Sequence, residues 1–78
     1  MKLPRDVSSD RVIGAMKQLG YSVVRQKGSH IRLMHPGPPA HFVTVPDHNP
    51  LRMGTLHSVL AEVAQQRSLS IDDIAQIL

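Results

Sequence analysis

In "SSDRVIGAMKQLG", the apolar residues Val12, Ile13, Met16 and Leu19 recur at helical spacing. Ser8 or Ser9 can cap the helix, and Asp10 suits the positive end of its dipole. Gly20 follows the last periodic residue, where a glycine commonly ends a helix. The period then changes. "YSVVRQ" is short and β-branched, which predicts a strand, with a turn at Lys27-Gly28-Ser29. "HIRLMH" predicts a second strand, whose alternation puts Ile31, Leu33 and His35 on one face and His30, Arg32 and Met34 on the other. After the rigid turn "PGPPA", "HFVTVP" predicts a third strand. Beyond "DHNPLRMG", Leu56, Val59, Leu60, Val63 and Ala64 form the stripe of a second helix. "LSIDDIAQIL" predicts a short third helix, with Ser70 as cap, Asp73 completing a capping box, and Leu69 with Ile74 as a hydrophobic staple. The expected class is α+β, in the order α-β-β-β-α with an extra short C-terminal helix. The helices should cover one face of a three-stranded antiparallel sheet. If Ile31 and Leu33 face the helices, His30 and Arg32 lie on the open face.

Composition narrows this picture. Residues 1–78, 41% of them hydrophobic, suit a single domain with a modest core, and no cysteine is available for disulfides, thiolate catalysis or metal. Tyr21 and Phe42 are the only aromatics besides the histidines, so aliphatic side chains must fill the interior. The N-terminal stretch lacks the apolar run of a signal peptide and nothing approaches transmembrane length, so a cytoplasmic protein without membrane contact is expected. The net charge is +3, unevenly spread. Between residues 11 and 46 stand Arg11, Lys17, Arg25, Lys27 and Arg32, with no acid. The segment from 62 to 78 instead sets Glu62, Asp72 and Asp73 against Arg67. A basic first half suggests either a polyanion partner on one face or an ordinary solvated surface.

Five histidines invite a metal hypothesis, but their spacing offers no helical i, i+4 pair and no HExxH arrangement. His35 and His41 could approach across a hairpin, a pair too small for a convincing site. Phosphate loops, dinucleotide fingerprints and nucleophile elbows are absent, and the acids are too scattered for a carboxylate pair. One chemistry needs neither metal nor acid: cleavage of RNA through its own 2′-hydroxyl. Histidine suits the proton abstraction, with an ordinary pKa of about 6.5, and nearby cations can hold the phosphate. His30, among Arg25, Lys27 and Arg32, is therefore a candidate base. It could equally be a strand-end histidine bonded to its own backbone. Gly54 and Thr55, just after Arg52, stand where a helix start can bind an anion. There too a plain helix start is open, with Thr55 or Gly54 as cap.

Together, "GYSVVRQKGSHIRLMHP", "HFVTVPDHNPLRMGTL" and "LSIDDIAQIL" resemble the HicA-type mRNA interferase toxins of toxin–antitoxin pairs. The Lys-Gly-Ser-His turn, the Val-Pro-x-His exit and the Gly-Thr-Leu helix start follow the family's order from about residue 5 onward. The resemblance implies a fold like the double-stranded RNA-binding domain and metal-independent cleavage of mRNA without a cofactor. It also implies a HicB-type antitoxin bound over the site. The catalytic role falls on His30. Lys27, Gly28, Ser29, Arg25 and Arg32, together with Arg52, Gly54 and Thr55, are the expected RNA and phosphate contacts. For the leaving oxygen, protonated His30, His48, Lys27 or water could supply the proton. The chain departs from the family at "VAQQRSLS", where many relatives carry a glycine before Leu-Ser, and in its proline-rich turn between the second and third strands. A non-catalytic RNA-binding module and a protein-interaction domain are the readings from other classes.

Overall fold

Ser8 accepts a hydrogen bond from the Arg11 amide and so starts helix α1 (Ser9–Gln18) in a computed structural model that describes residues 3–78. At its end Gly20, at φ +98°, carries the chain out of the helix. The Gly20 N–H donates to the Lys17 carbonyl and the Tyr21 N–H to the Met16 carbonyl, which is a Schellman stop. A side chain at Gly20 would also meet the His35 ring, 2.9 Å from a Cβ built there.

Three strands follow, β1 (Ser22–Lys27), β2 (His30–His35) and β3 (His41–Pro46), forming an antiparallel sheet in the order β1-β2-β3. Helix α2 (Met53–Arg67) and the short α3 (Ile71–Ala75) complete the chain. Ser70 and Asp73 make the expected capping box at α3, and Ile74 is buried with Leu69 packed against the core. Helix α2 ends on Ser68 in the left-handed region (φ 55°, ψ 41°), with the Ser68 and Leu69 amides both donating to the Ala64 carbonyl. A left-handed residue at a helix end is a position that ordinarily favours glycine, and here serine occupies it.

The core joins Val12, Ile13 and Met16 of α1 to Leu56, Val59, Leu60 and Val63 of α2. Both pack on Ile31, Leu33, Val43 and Val45 of the sheet. The β2 alternation is as expected: Ile31, Leu33 and His35 are buried, His30 and Arg32 exposed, Met34 between.

Strand β1 differs from expectation. It starts one residue later than its sequence pattern, and every residue in it is exposed, the two valines included. Tyr21, just before it, is the residue that reaches the core. A β-bulge at Val24 accounts for the facing: Val23 pairs with Leu33, but Arg25 pairs with Arg32. Paired without a bulge from Val23 onward, Arg25 would oppose Ile31 on the core face. A bulge of this kind re-aims the side chains that follow it. The start of α2 is a second correction. Its N-cap is Arg52, without a side-chain bond to the helix, so neither Thr55 nor Gly54 is the cap. Among the described residues, no helix is long and apolar enough to cross a membrane.

Candidate functional site

The turn between β1 and β2 sets the position of His30. Gly28 has φ +58°, whereas Ser29 stays out of the left-handed region. A positive φ at only the first central residue is the pattern of a type II′ turn, whose twist suits a two-residue hairpin. Lys27 and His30 are consequently direct cross-strand partners, with Cβ atoms about 5 Å apart in such a pair.

Asp47 holds this turn from outside. Its N–H donates to the Ser29 carbonyl at 2.6 Å, and its carboxylate accepts from Ser9 Oγ at 2.9 Å and Gln26 Nε2 at 3.3 Å. The first acid after the basic stretch thus ties α1, β1 and the exit of β3 together behind the turn. Sequence reading missed this residue; its only signal was its place at the end of the acid-free run.

On the open face of the sheet, Arg25, Lys27, His30, Arg32 and Thr44 line one depression. Four of these five are expected site residues, and the bulge brings Arg25 among them. Thr44 was not anticipated. It alternates with the buried Val43 and Val45 and pairs with Arg32, so its hydroxyl reaches the open face. Arg25 stands directly across from Arg32. Like charges in that relation destabilise a sheet by roughly 0.2–1 kcal/mol, a strain that a bound anion would relieve. The Arg32 guanidinium also lies 4.4 Å from the centre of the exposed Phe42 ring.

The remaining expected contacts are elsewhere. Gly28 and Ser29 are exposed at the hairpin tip and do not line the depression. Arg52, Gly54 and Thr55 line a second hollow with Thr44, Pro46, Ser58, Val59 and Glu62. Thr44 borders both hollows, but Glu62 makes the second less suited to an anion. His48 lies with Arg52 and Thr55 in a third, which His30 does not line.

The other histidines of the sheet have structural work. His35 is 5% exposed. Its Nδ1 accepts the Gly37 N–H at 2.9 Å and its Nε2 faces the Leu19 carbonyl at 3.0 Å, which requires the neutral Nε2–H tautomer. His41 sits with Nδ1 2.8 Å from the Pro39 carbonyl and Nε2 2.6 Å from the Tyr21 hydroxyl. The two imidazoles stack, with Tyr21 edge-on to both. Burial pushes the Tyr21 phenol up from its ordinary pKa; the Arg67 charge opposes this and Glu62 adds to it. Among the described residues no three His, Asp or Glu side chains are grouped to hold a metal ion.

A family model described as HicA toxin of bacterial toxin–antitoxin matches residues 9–65, from the first residue of α1 almost to the end of α2. Comparison with curated proteins found no match. Comparison with solved structures found none either.

Proposed function

The chain belongs to the HicA toxin family, the toxin side of a toxin–antitoxin pair, and from that premise we propose that it is a metal-independent endoribonuclease acting on mRNA in the cytoplasm. One observation carries the reading. An exposed histidine, His30, shares a depression with three cations and a hydroxyl, and no acid lines it.

In the proposed reaction neutral His30 takes the proton from a ribose 2′-hydroxyl. The 2′-oxygen forms a bond to the adjacent phosphorus, and the bond from phosphorus to the 5′-oxygen breaks. The products are a 2′,3′-cyclic phosphate and a 5′-hydroxyl. Lys27, Arg25 and Arg32 hold the phosphate and offset the charge that builds on its oxygens. Of the proton donors for the 5′-oxygen, Lys27 and the protonated His30 itself are favoured over His48, because they line the depression and His48 does not. The antitoxin partner that the family implies is proposed to be of the HicB type and to cover this basic face. An acidic surface on it would speed docking and select the partner.

Purified protein should cleave RNA in the presence of EDTA and leave the same sequence intact when the scissile position lacks its 2′-hydroxyl. Fragments should end in cyclic phosphate. Cleavage of an all-deoxy strand, or activity lost to chelator and restored by a divalent metal, would overturn the mechanism. Binding of RNA without any cleavage would make the domain a non-catalytic RNA-binding module.

A further inference from the structure

Resting on that reading, we infer that Phe42 and Arg32 form a stacking platform for an unpaired base, so that the substrate is single-stranded RNA. The chain has one phenylalanine and one tyrosine. Tyr21 is 3% exposed in the core, whereas Phe42 leaves half of its surface in solvent on the open face of the sheet. An otherwise aliphatic core could have used that ring. Phe42 pairs instead with Met34, and the Arg32 guanidinium lies against its ring. Aromatic rings and guanidinium planes are the two surfaces on which proteins stack splayed-out RNA bases, and a cation on the ring strengthens its grip beside a phosphate.

The register sets the geometry. Three rungs cross β2 and β3 on the open face: His30 with Pro46, Arg32 with Thr44, and Met34 with Phe42. Phe42 is four residues along β3 from the His30 rung, about 13 Å at the rise of an extended strand. The stacked base is therefore not the one beside the attacked phosphate but a neighbour further along, with Arg32 between them. A strand laid across these rungs meets a base-catalyst end, a cationic middle and an aromatic end. Inside a duplex the bases are already stacked on each other, and no base can reach a ring standing on a flat sheet. The site thus selects against duplex RNA, although the fold is of the kind the resemblance associates with duplex binding.

The chain has no tryptophan, so Phe42→Trp supplies a unique fluorophore at the platform. The probe is a mixed-sequence RNA with 2′-O-methyl riboses, which cannot be cleaved by this route, used single-stranded and annealed to its complement. Its binding is followed separately through a label on the RNA. Fluorescence of Phe42→Trp should be quenched by the single strand and not by the duplex. Phe42→Ala should bind the single strand about 5- to 160-fold more weakly, the range for loss of one stacked base, and Phe42→Tyr should retain affinity. In cleavage assays the Phe42→Ala defect should appear in KM, with kcat preserved at saturation. Unchanged fluorescence when the protein is saturated with the labelled single strand, equal quenching by duplex, or full RNA affinity in Phe42→Ala overturns the inference. So does a Phe42→Ala defect confined to antitoxin binding, which would assign the ring to a protein interface. If the wild-type chain cleaves no RNA, the nuclease reading fails, while quenching still decides the platform. If it cleaves and Phe42→Ala behaves identically, only the platform fails.

Discussion

His30 and His35 stand at the two ends of the same strand, yet they face opposite sides of the sheet and differ in almost every physical respect. His35 is buried, and its two ring nitrogens are matched to one acceptor and one donor of neighbouring turns. The Nε2–H tautomer satisfies both bonds, since it leaves Nδ1 free to accept the Gly37 N–H. His30 is exposed among cations, on a rung shared with Lys27 and Pro46. A histidine whose bonds are filled by the fold closes a structure. One held in place by its backbone, with its ring turned to solvent beside phosphate-seeking charges, is available for chemistry. Residue type says nothing about which is which; the parity of the strand position does.

The contrast breaks or holds most decisively on paired substitutions. His30→Ala should lower the cleavage rate by about 10²- to 10⁴-fold, the usual worth of a positioned general base, with a melting curve close to wild type. His35→Ala should do the reverse. It leaves the Gly37 amide and the Leu19 carbonyl without their partner and opens a cavity, a loss of roughly 2–4 kcal/mol. Activity per folded molecule should survive. Urea titrations beside cleavage rates on both variants check this; a His30→Ala variant that still cleaves RNA would sink the assignment.

Charge separates the two sides more gently. The log–log salt dependence of single-strand binding should flatten by about 0.7 for each phosphate contact removed. Lys27→Ala and Arg25→Ala, on the open face, should each show that change, whereas Lys17→Ala, on α1, should leave the slope alone. Arg25→Ala should also raise stability slightly, by up to about 1 kcal/mol, since it relieves the Arg25–Arg32 pairing. Equal slopes in all three variants would place the RNA away from the sheet.

Much of this division was legible in the sequence. The alternation of "HIRLMH" fixes its two faces because one of them must meet the helices, and the stripes of α1 and α2 say where those helices turn. The β1 side was not legible. A bulge adds a residue without altering local composition, so the pattern of "SVVRQK" does not reveal that Arg25 crosses to the face of Arg32. Thr44 and Asp47 were missed because their roles depend on partners 12 to 38 residues away in the chain. The Arg52 cap was missed because an N-cap without a side-chain bond carries no residue signature. His35 was placed on the correct face, but its bonds come from two turns whose backbone paths the sequence does not spell out.

The smallest effect sharpens the comparison from the buried side. Tyr21 donates its hydroxyl to the His41 ring, beside His35, and burial is the largest cause of its raised pKa. The folded phenol therefore holds its proton more tightly than the unfolded one. Stability from this group is complete below the ordinary pKa of 10.0. As pH rises past that value the unfolded chain releases a proton that the folded chain keeps, and stability falls until the folded phenol also ionises. Tyr21→Phe removes the titration together with one hydrogen bond. At neutral pH it should be less stable than wild type by about 1 kcal/mol, and the gap should narrow as pH is raised from about 9 to 11. Urea midpoints of the two proteins across that range measure the gap directly. A difference that stays constant with pH would mean that the phenol has the same affinity for its proton in both states. Burial would then contribute nothing to how firmly Tyr21 holds its proton.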